Sequence, residues 1–248
     1  KLKVSQIISE PAAICISYQY EKITNKKRTV IVFDFGSENL NVSLLEVENQ
    51  KYKLISVEQE KNIGSKFIDE NIYQFLITNE GLEKYEEEKN LRKKYNLLKE
   101  IEDGKIMLAN SDGDFEVEIY DDLNDKCCML KVKEFDEINK QIIESIHLPI
   151  QRILDRNNLK IDEIDDILLS GGSCNFKFVS DQIKKYFGKD PFHADKYDEE
   201  YEYSVVRGAT IIANEISKGS KIQEFNFVPM GLTIEFEFIG AKNKNKEP

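Results

Sequence analysis

Two short stretches hold residues whose types and spacing could do chemistry. In "VFDFGSENLN", residues 32–41, an apolar run ends on Asp34. A carboxylate at the end of a buried strand loses hydration, so it needs a hydrogen-bonding partner or a cation. Two readings follow: Asp34 serves a metal-bound water or a phosphate site, or it accepts hydrogen bonds from the turn behind it. In "LLSGGSCNF", residues 168–176, two glycines stand between a buried strand and a helix. Glycines there let a ligand approach the backbone, and a helix N-terminus offers N–H donors to an anion. The same pair also makes a tight strand-to-helix connection with no ligand at all.

Other chemistries are poorly supplied. The only histidines are His147 and His193, neither with a partner nearby in sequence, which argues against a His-based triad or a zinc site. Cys15, Cys127, Cys128 and Cys174 lack metal-ligand spacing, and an adjacent pair on a strand points to opposite faces. They read as reduced structural thiols. A net charge of −11 over 248 residues argues against nucleic acid and against an anionic membrane surface as partners. A phosphate ligand would therefore depend on local backbone N–H groups or a metal ion. No stretch approaches the roughly 18 apolar residues of a membrane span, no signal peptide is evident, and a cytoplasmic location is expected. The opening "KLKVSQIISEPAA" lacks a methionine and reads as the start of a fragment.

The elements that must position these residues follow from periodicity. Residues 4–20 lead into a helix with Ser9 as N-cap and Pro11 in its first turn. The polar "EKITNKKRT" reads as a linker. Strands are predicted at 29–36, 40–48 and 51–60, with "ENQK" as a turn. "GSKFIDENIYQFLI" has helical spacing at Phe67, Ile68, Tyr73, Phe75 and Leu76. Residues 82–109 are a charged helical region of mixed sign, a solvated face. Strands at 115–120 and 127–133 flank the loop "DDLND". A long amphipathic helix then aligns Ile138, Ile142, Ile146, Ile150 and Ile153, kinked or divided at Pro149. After the glycine turn comes a helix, then a last helix, "SVVRGATIIANEI", with Gly208, Ala209 and Ala213 suited to close packing. The tail alternates from Thr233 to Phe238 as a strand. Strands mixed with crossover helices make an α/β protein.

In this order the segments resemble one family, the nucleotide-binding domain of the seventy-kilodalton heat-shock chaperones. "IISEPAAICISY" is similar to its Glu-Pro segment, and "VFDFGSENLNVSLL" to its second phosphate loop. "IGSKFIDENI" is similar to its Gly-Gly-x-x-Phe-Asp segment, and "EIEDGKIMLA" to the helix contacting ribose and adenine. "DDILLSGGSCNF" resembles the adenosine loop, "VVRGATIIA" the closing helix, and "NFVPMGLTIE" the start of the peptide-binding domain. The resemblance implies an actin-like ATPase (ribonuclease H-like) fold: a mixed sheet with flanking helices and an inserted smaller α/β subdomain. It divides the chain into a first-lobe remnant and crossover helix (1–27), a larger second-lobe subdomain (28–65 and 134–218) and an inserted subdomain (66–133). The interdomain linker and the start of the peptide-binding domain would take 219–248.

The resemblance also implies roles. Glu10 and Asp34 would sit near a magnesium-bound water and the reacting phosphate. Gly36 would offer its N–H to phosphate, and Gly64 would lie at the phosphate-facing end of the next turn. Glu102 and Lys105 would reach the ribose hydroxyls. Gly171, Gly172 and Ser173 would pack on adenosine, with Glu202 near the phosphates in place of a family aspartate. ATP or ADP with Mg2+ would be the ligand. Client peptides, bound through a domain outside this chain, and co-chaperones would be the partners.

The departures are specific. Gly-Gly-Gly-Thr-x-Asp becomes Gly36-Ser37-Glu38-Asn39-Leu40-Asn41, which loses two glycines and replaces a hydroxyl with an amide, and in the family's arrangement the Glu38 carboxylate would face polyphosphate. Ile106 and Asn175 stand where two arginines would sandwich adenine. The first phosphate loop and the catalytic lysine would lie ahead of residue 1. The isolated lobe is therefore expected not to hydrolyse ATP. A second expectation is a degenerate, non-hydrolysing co-chaperone or exchange relative acting as an interaction scaffold.

Overall fold

Strand β1 (Arg28–Phe35) is apolar on both faces, and that decides its place at the centre of a sheet. It is flanked by β2 (Asn39–Glu48), antiparallel, and by β6 (Asp166–Ser170), parallel, while β3 (Lys51–Lys61) pairs antiparallel with β2 on the outside. The order is β3-β2-β1-β6. This computed structural model describes residues 4, 6–18, 26–48, 51–80, 82, 85, 90–111, 115–192 and 201–219. The sequence-predicted tail strand, residues 49–50 of the "ENQK" turn, the first part of the linker and His193 lie outside them.

Alternation along β1 divides its side chains between two cores. Val30 and Val32 join Leu45, Val47 and Leu168 on one face, beneath α1 (Glu10–Ser17) and α8 (Ser204–Ser217). Ile31, Phe33 and Phe35 join Leu40, Val42, Ile167 and Leu169 on the other. That second core continues through α2 (Ser65–Glu80) and α3 (Leu91–Ala109) into an antiparallel hairpin of β4 (Glu116–Asp121) and β5 (Lys126–Lys131). The buried positions of α2 are Ile68, Ile72, Tyr73, Leu76 and Ile77; Phe67 and Phe75 pack at the edge of that core.

Two boundaries differ from the sequence reading. Strand β5 stops at Lys131, because Val132 already opens α4 (Val132–Ile138), whose Glu134 side chain accepts a hydrogen bond from the Lys131 N–H. The long helix is broken twice. Pro149 starts α6 (Leu148–Asn157), as its missing N–H allows. An earlier break, at Asn139, separates α4 from α5 (Lys140–Ser145). Asn139 is buried, donates to the Phe135 carbonyl and accepts from Asn71 on α2, so a tertiary contact ends that helix.

At the crossing of α1 and α8 there is no room for a side chain: a Cβ on Gly208 would lie 1.9 Å from the Ala13 carbonyl oxygen. Gly208 therefore lets two backbones touch over the sheet, whereas Ala213 of the same helix is exposed. The glycine turn after β6 leads through a 3-10 turn (Gly172–Asn175) into α7 (Lys177–Phe187).

Candidate functional site

The β1–β2 turn and the glycine turn after β6 sit side by side because β1 and β6 are neighbours, with Asp34 opposite Ser170 in the register. Gly171 has φ +86°, and a Cβ there would come within 2.3 Å of the Phe35 carbonyl oxygen and 3.1 Å of Asp34 Oδ1. Only glycine allows this approach. The Gly171 N–H donates to the Tyr201 carbonyl at 3.0 Å.

The tip of the β1–β2 hairpin is held from several sides. The Gly36 N–H donates across the turn to the Asn39 carbonyl at 3.0 Å. The Ser65 and Lys66 N–H groups, at the start of α2, donate to the carbonyls of Gly36 and Ser37 at 3.3 and 2.9 Å. The Ser173 hydroxyl also donates to the Gly36 carbonyl, at 2.9 Å. Lys66 Nζ lies 3.1 Å from Glu38 Oε1 in an exposed ion pair. Gly64 permits the contact with α2, since a Cβ there would meet the Ser37 carbonyl at 2.2 Å.

Asp34 is half-buried, and burial pushes its carboxyl above the ordinary range; hydrogen bonds from the Ser170 and Asn41 side chains pull it back in part. Beside it, the wholly buried Cys174 thiol points at the Ser170 carbonyl, 2.9 Å away, and burial lifts its pKa far above that of a reactive thiol. Cys174 is structural.

These turns form one side of a cleft of about 440 Å³. Ser37 and Ser65 line it at the hairpin end, and Glu102, Lys105 and Ile106 of α3 form one wall. Gly172, Ser173, Asn175 and Glu202 form the facing wall, where the Asn175 amide donates to Glu202 at 3.2 Å. Lys105 is buried there and already engaged, its Nζ 2.6 Å from Asp69 Oδ1. Burial raises the Asp69 carboxyl despite the neighbouring ammonium.

Of the residues singled out from sequence, Ser37, Glu102, Lys105, Gly172, Ser173 and Glu202 meet in this cleft. Asp34, Gly36, Gly64 and Gly171 stand behind it, shaping the two turns. Asn39 begins β2 and pairs in register with Lys61. Glu38 is not among the lining residues and is paired with Lys66. Glu10 is exposed at the first turn of α1, outside the lining. Among the described residues no three acidic, His or Cys side chains are grouped to hold a metal ion. The sequence reading missed Asp69, Lys66, Ser170 and Asn41 as partners. Asp69 lies within the quoted "IGSKFIDENI", but no spacing ties it to Lys105, 36 residues away.

Asp34 is held at a cost to stability, and that can be measured. Asp34→Asn is expected to stabilise the ligand-free protein by on the order of 1 kcal/mol, about 2–4 °C in Tm. A folded-state pKa above the unfolded one makes ionisation destabilising. The wild-type deficit is therefore full above the raised folded pKa, and it closes as pH falls through that pKa toward 3.8. Thermal melts of both proteins across acidic pH check this; equal Tm values at neutral pH would show that Asp34 carries no such load.

A family model described as "Hsp70 protein" matches residues 1–246.

Proposed function

The chain belongs to the Hsp70 family, whose members have the actin-like ATPase fold and bind ATP with Mg2+, and on that premise we propose that its cleft is the second-lobe half of a nucleotide site. In this reading nucleotide state is coupled to peptide binding by a domain outside the chain, and co-chaperones are the further partners. The carrying observation is that six residues from four distant segments (the β1–β2 turn, α3, the glycine turn and the segment before α8) line one cleft. Among the described residues no helix is long and apolar enough to cross a membrane.

The residues present fit the ligand in part. Asp34, half-buried among neutral donors, suits a water of a hydrated cation, and magnesium when bound would supply the positive charge that a phosphate chain needs. Glu102 is exposed on the cleft wall, able to accept hydrogen bonds from ribose hydroxyls, and Ile106 offers an apolar surface to a base. Residues 28–65 and 134–218 make the larger subdomain in this assignment, and 66–133 the smaller, which accords with the separate β4–β5 sheet. Residues 1–27 are assigned to the crossover from a preceding lobe, and 219–248 to the linker and a peptide-binding domain.

Calorimetric titration with ATP and with ADP, each with and without magnesium, tests the reading. Binding of both is expected, and binding of neither overturns it. A second reading, a non-hydrolysing scaffold, is favoured by the hairpin tip, whose N–H at Gly36 is already used and whose Glu38 is a carboxylate. Phosphoryl transfer needs groups placed around both ends of the phosphate chain. The 248-residue chain is expected to show no turnover above buffer; turnover abolished by Asp34→Ala but not by an exposed control substitution would refute that.

A further inference from the structure

One row of polar side chains crosses all four strands of the sheet. In the register Ser170 of β6 stands beside Asp34 of β1, Asp34 opposite Asn41 of β2, and Asn41 opposite Gln59 of β3. Alternation puts the four on one face, the face that carries Val30, Val32 and Leu168. Burial falls along the row: Ser170 is buried, Asp34 and Asn41 are half-buried, and Gln59 is exposed at the sheet edge. Its hydrogen bonds run toward Asp34. Ser170 and Asn41 both donate to the carboxylate, and the Gln59 amide donates to Asn41 Oδ1 at 2.9 Å. An ionised carboxylate only accepts, so Asn41 must turn its NH2 toward Asp34 and its carbonyl away. Gln59 fills that carbonyl and holds the amide in this orientation. It stands two strand spacings from Asp34, about 10 Å, and is not among the residues lining the cleft.

We propose that this row is a positioning device for the candidate cation site: Ser170 and Asn41 fix the Asp34 carboxylate, and Gln59 acts on it through Asn41. The inference rests on the nucleotide reading of the cleft, in which Asp34 serves a water of a hydrated magnesium ion. Partners one contact removed from a metal typically change its affinity about 10–100-fold when they are altered. A residue at the exposed edge of the sheet thereby sets how strongly magnesium supports nucleotide binding.

Gln59→Glu is nearly isosteric and reverses the row. Glutamate only accepts, so it draws the Asn41 NH2 to itself and turns the Asn41 carbonyl on Asp34. The first readout needs no ligand: the Asn41 side-chain amide protons, identified by NMR from their absence in Asn41→Asp. The proton given to Asp34 is expected downfield of its partner in wild type, and that displacement is expected to collapse in Gln59→Glu; an Asn41 amide that does not respond overturns the inference. The second is calorimetric titration of the 248-residue chain with ATP, with and without magnesium. The factor by which magnesium tightens ATP binding is expected to fall about tenfold in Gln59→Glu. An unchanged factor overturns the inference and leaves the nucleotide reading standing, whereas a wild type that binds no ATP overturns that reading and this inference with it. Val57→Glu puts the same charge two residues earlier on β3, exposed and on the same face. It is expected to leave both readouts as in wild type; a matching loss there traces the effect to charge alone and overturns the inference.

Discussion

Lys105→Met is expected to destabilise the protein by about 3 kcal/mol, lowering Tm by about 6–12 °C. The Lys105 side chain is 4% exposed and that of Asp69 21%, so the pair sits in a poorly hydrated pocket under α3. Asp69 Oδ1 has the ammonium 2.6 Å away and no aligned hydrogen bond of its own. Removing the ammonium leaves a desolvated carboxylate, which is the costly half of breaking a buried pair. Asp69 already titrates above the ordinary range with Lys105 in place. Without Lys105 its folded pKa rises further, so the variant's deficit shrinks as pH falls and Asp69 takes up a proton. Replacing both residues, Asp69→Leu with Lys105→Met, is expected to recover most of the loss, since neither charge is then stranded. Thermal and urea melts of the two singles and the double decide it. Full stability in the Lys105→Met protein would mean that the pair is ornamental and that Lys105 is held for a ligand alone.

The second large effect runs against helix propensity. Glycine inside an exposed helix is ordinarily worse than alanine by about 1 kcal/mol, so Gly208→Ala would count as stabilising on propensity alone. Here the added methyl would lie 1.9 Å from the Ala13 carbonyl oxygen and 2.9 Å from its Cα, both rigid backbone. Helices α1 and α8 would have to separate over the face formed by Val30, Val32 and Leu168. A loss of about 3 kcal/mol or more is expected, as for overpacking that backbone cannot relieve. Denaturation of Gly208→Ala beside wild type checks the sign, and a gain in stability would remove the close crossing from the account.

Much of this architecture was legible before any coordinates. The β1, β2 and β3 runs were visible because their alternation and hairpin spacing are local. Pro149 marked the start of α6 through its missing N–H. The break at Asn139 was not visible, because it depends on Asn71, 68 residues away. The same distinction divides the site. The glycine turn was readable, since Gly171 and Gly172 announce a backbone that must be approached closely. What holds Asp34, Lys105 and Glu38 was not, since Ser170, Asp69 and Lys66 reach them only through the packing of α2, α3 and β6. Local sequence named the turns; the charge balance around them is tertiary.

The parallel pairing of β1 with β6 also has a meaning in time. Thr29 and Asp165, bonded at the start of that ladder, are 136 residues apart in the chain. At about 5–20 residues per second, roughly 7–27 s of synthesis separate the emergence of one strand from the other. Through that interval β1 can pair with β2 but not with β6. Its other edge, carrying Val30 to Phe33 with no strand beside it, is a template for intermolecular pairing. Helix α8 emerges later still, so the face beneath it also waits uncovered. Newly made chains should therefore be most aggregation-prone when translation stalls between residues 36 and 165, a vulnerability of the nascent chain that the folded protein does not share.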